Sequence, residues 1–256
     1  MLRIFYADLR SMIRNKGFLS CIGGMVMYVA GFTVLITIIL KCFMGGGILA
    51  AEEIMGTYSD VAVVFIAAAV LMTFNIDYSD GIIRNKMICG VKRSGIAISV
   101  ISCGCIAGAA LCITSVVSSC IMSLFFSTGL GTLTVTETVD SILVLTLASM
   151  AVGAFSTFLM VLFGGTKGTY VSGLLIAFIF KLAGMEVAEK LYPEQGECLL
   201  TGTKLMLYRF YDRFVPYAHF SFYRRWSFTD YLIGSMACII ISYILSVLVM
   251  NKKEIK

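Results

Sequence analysis

The chain has 256 residues, of which 59% are apolar and 14% are charged, and its mean hydropathy is +0.94. Soluble domains carry about 25% charged residues and could not bury this much apolar surface, so the composition excludes a soluble protein and indicates a multi-pass membrane protein. The formal net charge is +5 at pH 7, but the bases cluster beside apolar segments, as membrane topology places them, which argues against a nucleic-acid partner.

Residues 1–17 predict an amphipathic helix that precedes the first membrane span. Its apolar positions recur at helical spacing, and they are Leu2, Phe5, Tyr6, Leu9, Met12 and Ile13. Arg3, Arg10 and Arg14 fall on another face of the same helix. We expect this helix to rest in the headgroup layer, with its bases directed at anionic lipid or a cytoplasmic partner; the alternative is that the bases only set topology. Gly17 is expected to allow a sharp turn into the first span.

Six apolar segments are long enough to cross the hydrocarbon core, which needs about 20 helical residues. They are residues 18–40, 58–76, 95–126, 141–163, 168–185 and 228–250, which makes residues 18–256 one membrane domain. The third is about 48 Å long as a helix, so it must tilt or protrude. The fifth is the weakest because it contains Lys181. We expect Lys181 near the outer end of its helix, reaching toward the interface, or alternatively serving a substrate or partner.

The charges beside the spans predict the orientation of the chain. The N-terminal segment, the second connection and the C-terminal tail are net positive, whereas the first and third connections are acidic. Because bases are retained on the cytoplasmic side, both termini are predicted in the cytoplasm, and residues 186–227 become a long outer connection. The predicted fold class is therefore all-α, with six transmembrane helices and an interfacial helix at the start.

The segment DYSDGIIRNKMICGVKRSG, residues 77–95, concentrates two acids and four bases in one short connection. Ser79 or Asp80 can cap a short helix, because their oxygens accept the free N–H groups of a first turn. Gly90 suits the left-handed turn that ends such a helix, and Ser94 can cap the next one. The sequence therefore predicts a helix of two to three turns lying across the cytoplasmic end of the bundle.

This short helix is predicted to have two faces. Its apolar face is formed by Ile82, Ile83, Met87 and Ile88. Its polar face is formed by Arg84, Asn85 and Lys86, and we expect that face to be open to a partner.

The segment resembles the cytoplasmic loop of ABC type-2 exporter permeases. In that family an acid is followed by Gly-Thr-Ile-Arg-Asn-Lys and then by Gly and Ser-Arg. This chain has GIIRNK from Gly81 to Lys86, with Ile82 in place of the usual Thr and Lys92-Arg93 in place of Ser-Arg. The layout agrees over the whole length, and the size is similar to that of small permeases of peptide-antibiotic export and immunity systems.

The resemblance implies a coupling helix that docks on a separate ABC ATPase subunit, which would bind ATP-Mg. The implied coupling residues are Asp80, Gly81, Arg84, Asn85, Lys86, Gly90, Lys92 and Arg93. The first helix would be an elbow near the ATPase, and the chain would act with a second permease copy or a paralogue in a bacterial cell membrane. The implied function is export of an amphipathic compound, such as a peptide. A non-transporting sensory or immunity module is the alternative, as is a role of the bases in topology alone.

The chain offers no site for catalysis or for a cofactor of its own. The stretch GGTKGT at residues 164–169 has the composition of a P-loop but not its spacing, so we expect ATP hydrolysis in a separate subunit. The nine cysteines include no CxxC and lie mostly in apolar runs, and His219 is the one histidine, so no metal site is expected. Cys198 and Cys42 could pair outside the membrane.

The stretch YRFYDRFVPYAHFSFYRRW, residues 208–226, interleaves aromatic residues with arginine. One interpretation is an interfacial belt, with rings at headgroup depth and arginines at phosphates. The other is an exit vestibule for an amphipathic substrate, since aromatic faces attract cations and apolar groups. The residues assigned to such a vestibule are Tyr208, Phe210, Tyr211, Phe214 and Trp226.

Small residues predict close helix packing. Gly104 and Gly108 form a GxxxG pattern on the third span, and Gly153 lies with Ser149 and Thr157 on the fourth. We expect these positions to serve packing within the chain, with a dimer contact as the alternative.

Overall fold

The computed structural model describes residues 2–43, 49–127, 129, 134–164, 168–193, 198, 200–220 and 225–252. Parts of the predicted outer connection and most of the basic tail lie outside these residues. Within them the chain forms nine α-helices, a short 3-10 turn at Pro216–Ala218 and one isolated bridge. The helices are α1 (Leu2–Arg14), α2 (Lys16–Phe43), α3 (Ala51–Ser79), α4 (Ile82–Ile88), α5 (Arg93–Phe126), α6 (Val135–Phe163), α7 (Gly168–Leu191), α8 (Gly202–Phe214) and α9 (Phe228–Lys252).

Six of these helices, α2, α3, α5, α6, α7 and α9, are long and apolar enough to cross a membrane. The prediction of an all-α chain with six spans is thereby confirmed. Several helices run beyond the apolar segments, since α3 begins at Ala51 and α7 ends at Leu191. Hydropathy marks where lipid surrounds a helix, whereas backbone hydrogen bonding continues into the charged turns at either end.

The six long helices form an inner and an outer group. The most apolar windows of α3, α5 and α6 are 61%, 67% and 67% buried, whereas those of α2, α7 and α9 are each 22% buried. The inner helices pack on one another, and α9 also lies along α6. The outer helices direct apolar side chains such as Met27 and Ile233 away from the protein, as expected for surfaces that face lipid.

Glycine brings α5 and α6 into backbone contact. A Cβ placed on Gly153 would lie 2.2 Å from the carbonyl oxygen of Gly104, and one placed on Gly108 would lie 2.1 Å from that of Ser149. No side chain fits between the helices at these points. The predicted use of these small residues for packing within the chain is confirmed.

The two ends of the bundle differ in construction. At one, named the α4 end, α1 and α4 meet the beginning of α5, which is bonded to the last turn of α9. At the other, named the α8 end, α8 and the 3-10 turn pack on α7 and α9. The charge pattern predicts that the α4 end is cytoplasmic.

Replacing Gly153 by valine is expected to lower the free energy of unfolding by about 3 kcal/mol, because a side chain there must separate two backbones. Thermal unfolding of the purified protein in detergent measures this effect. Gly31→Ala is the matched control, since a Cβ on Gly31 meets no atom within 4 Å. A Gly153→Val protein that unfolds at the temperature of the control would contradict the α5–α6 contact.

Candidate functional site

The turn into α4 is made by Gly81. Asp80 ends α3, with its N–H donating to the carbonyl of Ile76 at 2.9 Å. Gly81 has φ 70° and occupies the cap position of α4 without a side-chain hydrogen bond. The prediction that Ser79 or Asp80 caps α4 is therefore wrong, because the left-handed reversal from α3 leaves only a glycine at that position.

The end of α4 follows the prediction at Gly90. This residue has φ 82°, and its N–H donates to the carbonyl of Met87 at 3.0 Å. The predicted left-handed turn is confirmed. The cap of α5 is Lys92, so the prediction that Ser94 caps this helix is wrong: α5 begins one residue before Ser94, at Arg93.

The inward face of α4 is built around Ile83, which is 1% exposed in the apolar core. Lys86 and Met87, three and four residues later, share this side of the helix, whereas Ile88 does not and is 74% exposed. The predicted faces are therefore wrong at Lys86, which turns inward, and at Ile88, which turns outward. Because Ile83 points into the core, helical spacing directs Lys86 inward and Ile88 outward.

Lys86 joins α4 to α1 and α5. Its ammonium group forms an ion pair with Asp8, whose side chain is 4% exposed. The second carboxylate oxygen of Asp8 accepts a hydrogen bond from the Ser99 hydroxyl at 2.6 Å. Both oxygens of a buried carboxylate are thus satisfied, which offsets much of its desolvation cost.

Arg93 joins the start of α5 to the end of α9. Its guanidinium donates to the backbone carbonyls of Met250 at 2.7 Å and Asn251 at 3.1 Å. The last carbonyls of a helix lack partners within the helix and carry partial negative charge, so a cation is favoured there. Lys86 and Arg93 therefore form contacts between helices of the chain and are not exposed surface charges.

The outer face of α4 remains open. Arg84, Asn85 and Lys92 are exposed. They adjoin a shallow depression of about 480 Å³, lined by Arg84, Met87, Ile88, Val91, Lys92 and Arg93. This lining contains three bases, no acid and three apolar side chains. The surface therefore suits a partner with acidic groups around an apolar contact.

Helix α1 contacts the bundle through Asp8 and Met12, which are buried. Arg3, Arg10 and Arg14 are exposed, and none of them lines the depression beside α4. That this helix rests in the headgroup layer stays a prediction.

The turn from α1 into α2 lies at Asn15. Its side-chain oxygen caps α2 by accepting the N–H of Gly17 at 2.8 Å. The expectation that Gly17 makes this turn is wrong. A Cβ on Gly17 would lie 3.1 Å from that of Met72, so glycine serves the approach of α2 to α3 instead.

A buried carboxylate organises the α8 end. Asp212 is 2% exposed and accepts hydrogen bonds from the Trp226 indole N–H at 2.8 Å, the Tyr192 hydroxyl at 3.1 Å and the Arg225 guanidinium at 3.3 Å. Arg213 forms a separate ion pair with Asp230 at 2.8 Å. These bonds attach α8 to the ends of α7 and α9.

The residues assigned to an outer vestibule have different surroundings. Tyr211 donates to the carbonyl of Phe180 at 2.9 Å, and Trp226 is bound to Asp212, so both hold α8 in place. Phe210 is 59% exposed and packs on Phe214, with ring centroids 5.4 Å apart. The Tyr208 ring lies 5.8 Å from the ammonium of Lys190. These five rings do not line the cavity described next.

A cavity of about 330 Å³ lies at the α8 end between α3, α7 and the chain that follows α8. Lys181 lines it and is 9% exposed, with its ammonium donating to the carbonyl of Ser59 at 2.8 Å. The expectation that Lys181 reaches toward the interface is wrong. A carbonyl within a helix has a second lone pair, so the Ser59 carbonyl of α3, next in sequence to Asp60, accepts a hydrogen bond from Lys181 and keeps the ammonium group buried. Sequence reasoning also missed Tyr217 and Phe220 as cavity walls.

The fold and these two surfaces define a multi-pass helical membrane protein with a basic face at one end and a charged cavity at the other. No model of a known protein family matches the chain, and no curated protein matches it. The resemblance to ABC type-2 permeases therefore rests on the residues of the α4 segment and on the layout of the spans.

His219 gives the α8 end a predicted pH dependence. It is 3% exposed and packs edge to face on Tyr231, with ring centroids 4.6 Å apart. Burial lowers its pKa from 6.5 to about 4, and the nearby backbone carbonyl of Arg213 offsets only part of this. Above pH 6.5 the imidazole is neutral in both the folded and the unfolded chain, so it adds no pH dependence there.

Between pH 6.5 and about 4 the unfolded chain takes up a proton that the folded protein does not. The free energy of unfolding should therefore decrease as the pH is lowered through this window, by at most roughly 1.4 kcal/mol per pH unit. Thermal unfolding of the wild type and of His219→Phe across the window measures this effect: the wild type should lose stability relative to the variant as the pH is lowered, because phenylalanine does not titrate. Identical pH profiles for the two proteins would contradict a neutral, buried His219.

Proposed function

We propose that this chain is the membrane-spanning permease subunit of an ATP-binding-cassette exporter. It moves an amphipathic compound, such as a peptide, out of a bacterial cell, with the α4 end in the cytoplasm. A separate ATPase subunit binds ATP-Mg and hydrolyses it. A second copy of the chain, or a similar permease, completes the pathway within the lipid bilayer.

The observation that carries this proposal is the anchoring of α4. This seven-residue helix is too short to be stable alone, so its position depends on its contacts. Ile83 fixes it to the core, Lys86 fixes it to α1, and Arg93, just beyond it, fixes the start of α5 to α9. A force applied to α4 would therefore be transmitted to α1 through Lys86 and, at the adjoining start of α5, to α5 and α9 through Arg93.

On this basis the eight residues implied in coupling divide into those that position α4 and those that are open to a partner. Gly81 and Gly90 form the turns that bound α4, Lys86 holds α4 to α1, and Arg93 holds the start of α5 to α9. Asp80 ends the preceding helix. The surface left for the ATPase is formed by Arg84, Asn85 and Lys92 around the depression.

Reversing two exposed charges tests this role without disturbing the contacts between helices. Arg84→Glu combined with Lys92→Glu is expected to reduce co-purification of a co-expressed ATP-binding-cassette ATPase by at least about tenfold, because like charges facing each other cost several kcal/mol. Transport in reconstituted vesicles should fall with it. Membrane insertion and thermal unfolding should not change.

Lys41→Glu with Lys204→Glu is the matched control, since both residues are exposed, belong to helices other than α4 and carry the same total charge. A double variant at Arg84 and Lys92 that retains the ATPase as well as this control would refute the docking face. Retention of the ATPase by the wild type without any transport would instead select the sensory or immunity module.

A further inference from the structure

The cavity at the α8 end holds charges that the proposed docking face does not use. Its volume of about 330 Å³ lies at the small end of the range for small-molecule sites, which begins near 300 Å³. Its lining combines carboxylates and bases with the aromatic residues Tyr217 and Phe220, which are 4% and 6% exposed. The cavity is therefore polar enough to orient a ligand and apolar enough to hold its carbon chain.

Lys181 supplies a buried cation with unused hydrogen-bonding capacity. An ammonium group has three donors, and among the described residues Lys181 uses one, to the carbonyl of Ser59. The Phe220 ring lies 5.9 Å from the same nitrogen. No carboxylate in the described part of the chain forms an ion pair with it, and Asp60 acts on it only at longer range. A buried cation in this condition is stabilised by an anion.

Carboxylates line the same cavity along one face of α3. Glu53 and Asp60 are two helical turns apart, about 10 Å along the axis. One oxygen of Glu53 accepts the N–H of Ala50 at 3.2 Å, which leaves its other oxygen for a further donor. Asp60 is exposed and forms no ion pair within the described residues. These groups suit a ligand that donates several N–H bonds.

We propose that this cavity binds a zwitterionic ligand with a primary ammonium group beside a carboxylate or phosphate group. The ligand's anion pairs with Lys181, and its ammonium pairs with Asp60. Arg225 also lines the cavity, but its guanidinium is already bound to Asp212 and lies over the Tyr192 ring. Lys181 is therefore the cation that receives the anionic group.

Singly charged ligands fit this arrangement less well. A monoanion that reaches Lys181 would lie close to Asp60, and a monocation that reaches Asp60 would lie close to Lys181. A zwitterion pairs both charges and changes the net charge of the site by nothing.

Two sources share this chemistry, namely the phosphoethanolamine headgroup of a lipid and a free amino acid or dipeptide, which carries an ammonium and a carboxylate close together. The cavity has room for a headgroup or a dipeptide, not for a long peptide. If the proposed export function holds, this group is the part of the substrate that the permease recognises. Binding itself does not depend on that function, so it is measured on the full chain without an ATPase.

The experiment uses the full-length protein in nanodiscs of phosphatidylcholine, whose quaternary ammonium has no N–H donor. Isothermal titration calorimetry is performed with free phosphoethanolamine and with the dipeptide Ala-Ala. Phosphocholine and N-acetylated Ala-Ala are the matched probes without a primary ammonium. We expect at least one of the first two probes to bind, and its matched probe to bind at least about tenfold more weakly.

Lys181→Met and Asp60→Asn test the two contacts separately. Each is expected to weaken binding by at least about tenfold. Methionine has a similar volume and removes a buried charge, so Lys181→Met should keep the fold, which thermal unfolding checks. Lys204→Met and Glu189→Gln are the matched controls, since both residues are exposed and lie outside the cavity, and they should not change the affinity.

Binding of phosphoethanolamine alone would assign the site to a lipid headgroup, and binding of Ala-Ala alone would assign it to a free amino acid or dipeptide. Both results support the zwitterion site. The proposal is overturned if neither probe binds at millimolar concentration, if phosphocholine and N-acetylated Ala-Ala bind equally well, or if binding survives either cavity variant. None of these outcomes depends on the ATPase, so failure here is distinct from failure of the coupling role.

Discussion

The ion pair between Asp8 and Lys86 is the contact on which the α4 end depends. It joins the first helix of the chain to a seven-residue helix that cannot persist without tertiary contacts. Asp8 is buried, so the loss of Lys86 would leave a carboxylate with Ser99 as its remaining hydrogen-bond donor. Breaking a buried pair in this way costs roughly 3–5 kcal/mol. The exposed surface that carries Arg84 and Lys92 keeps its position because the Asp8–Lys86 pair holds α4 against the bundle.

A single helix connects the two candidate surfaces. α3 has 29 residues; it ends at the Gly81 turn into α4, and its first turns carry the carboxylates of the cavity. Near its start α3 also packs on α6, where the Tyr58 hydroxyl lies 2.8 Å from that of Ser149, next to the glycine contact between α5 and α6. If α4 is displaced, α3 provides a continuous path to the cavity, about 30–40 Å away along the helix. This geometry offers a physical route by which a partner at one end could change a ligand site at the other.

Much of the fold could be predicted from sequence because its determinants are local. Hydropathy located six spans, small residues marked the packing positions on α5 and α6, and a single glycine marked the left-handed turn at Gly90. These features depend on the lipid environment of a segment or on the conformational freedom of one residue. Neither requires knowledge of a distant partner.

The orientation of individual charges could not be predicted in the same way. Lys86 was placed on the open face of α4 because its partner Asp8 is 78 positions away in the chain. Lys181 was placed at the interface because the carbonyl of Ser59 lies on another helix. One sequence signal did exist for Asp8, which is the single acid among four bases at the start of the chain. The cap of α4 was missed because the reversal from α3 is completed by Gly81 itself.

Hydrogen exchange of the full-length protein in nanodiscs tests the contact between α1 and α4 most directly, when Lys86→Met is compared with the wild type. We predict that amide exchange in α1 and α4 accelerates together in the variant, by at least about tenfold, because one contact holds both helices. Exchange in α8 should not change, since this helix is held by Asp212 at the opposite end. Faster exchange in α4 with unchanged protection of α1, or no change in either, would contradict the tie between them.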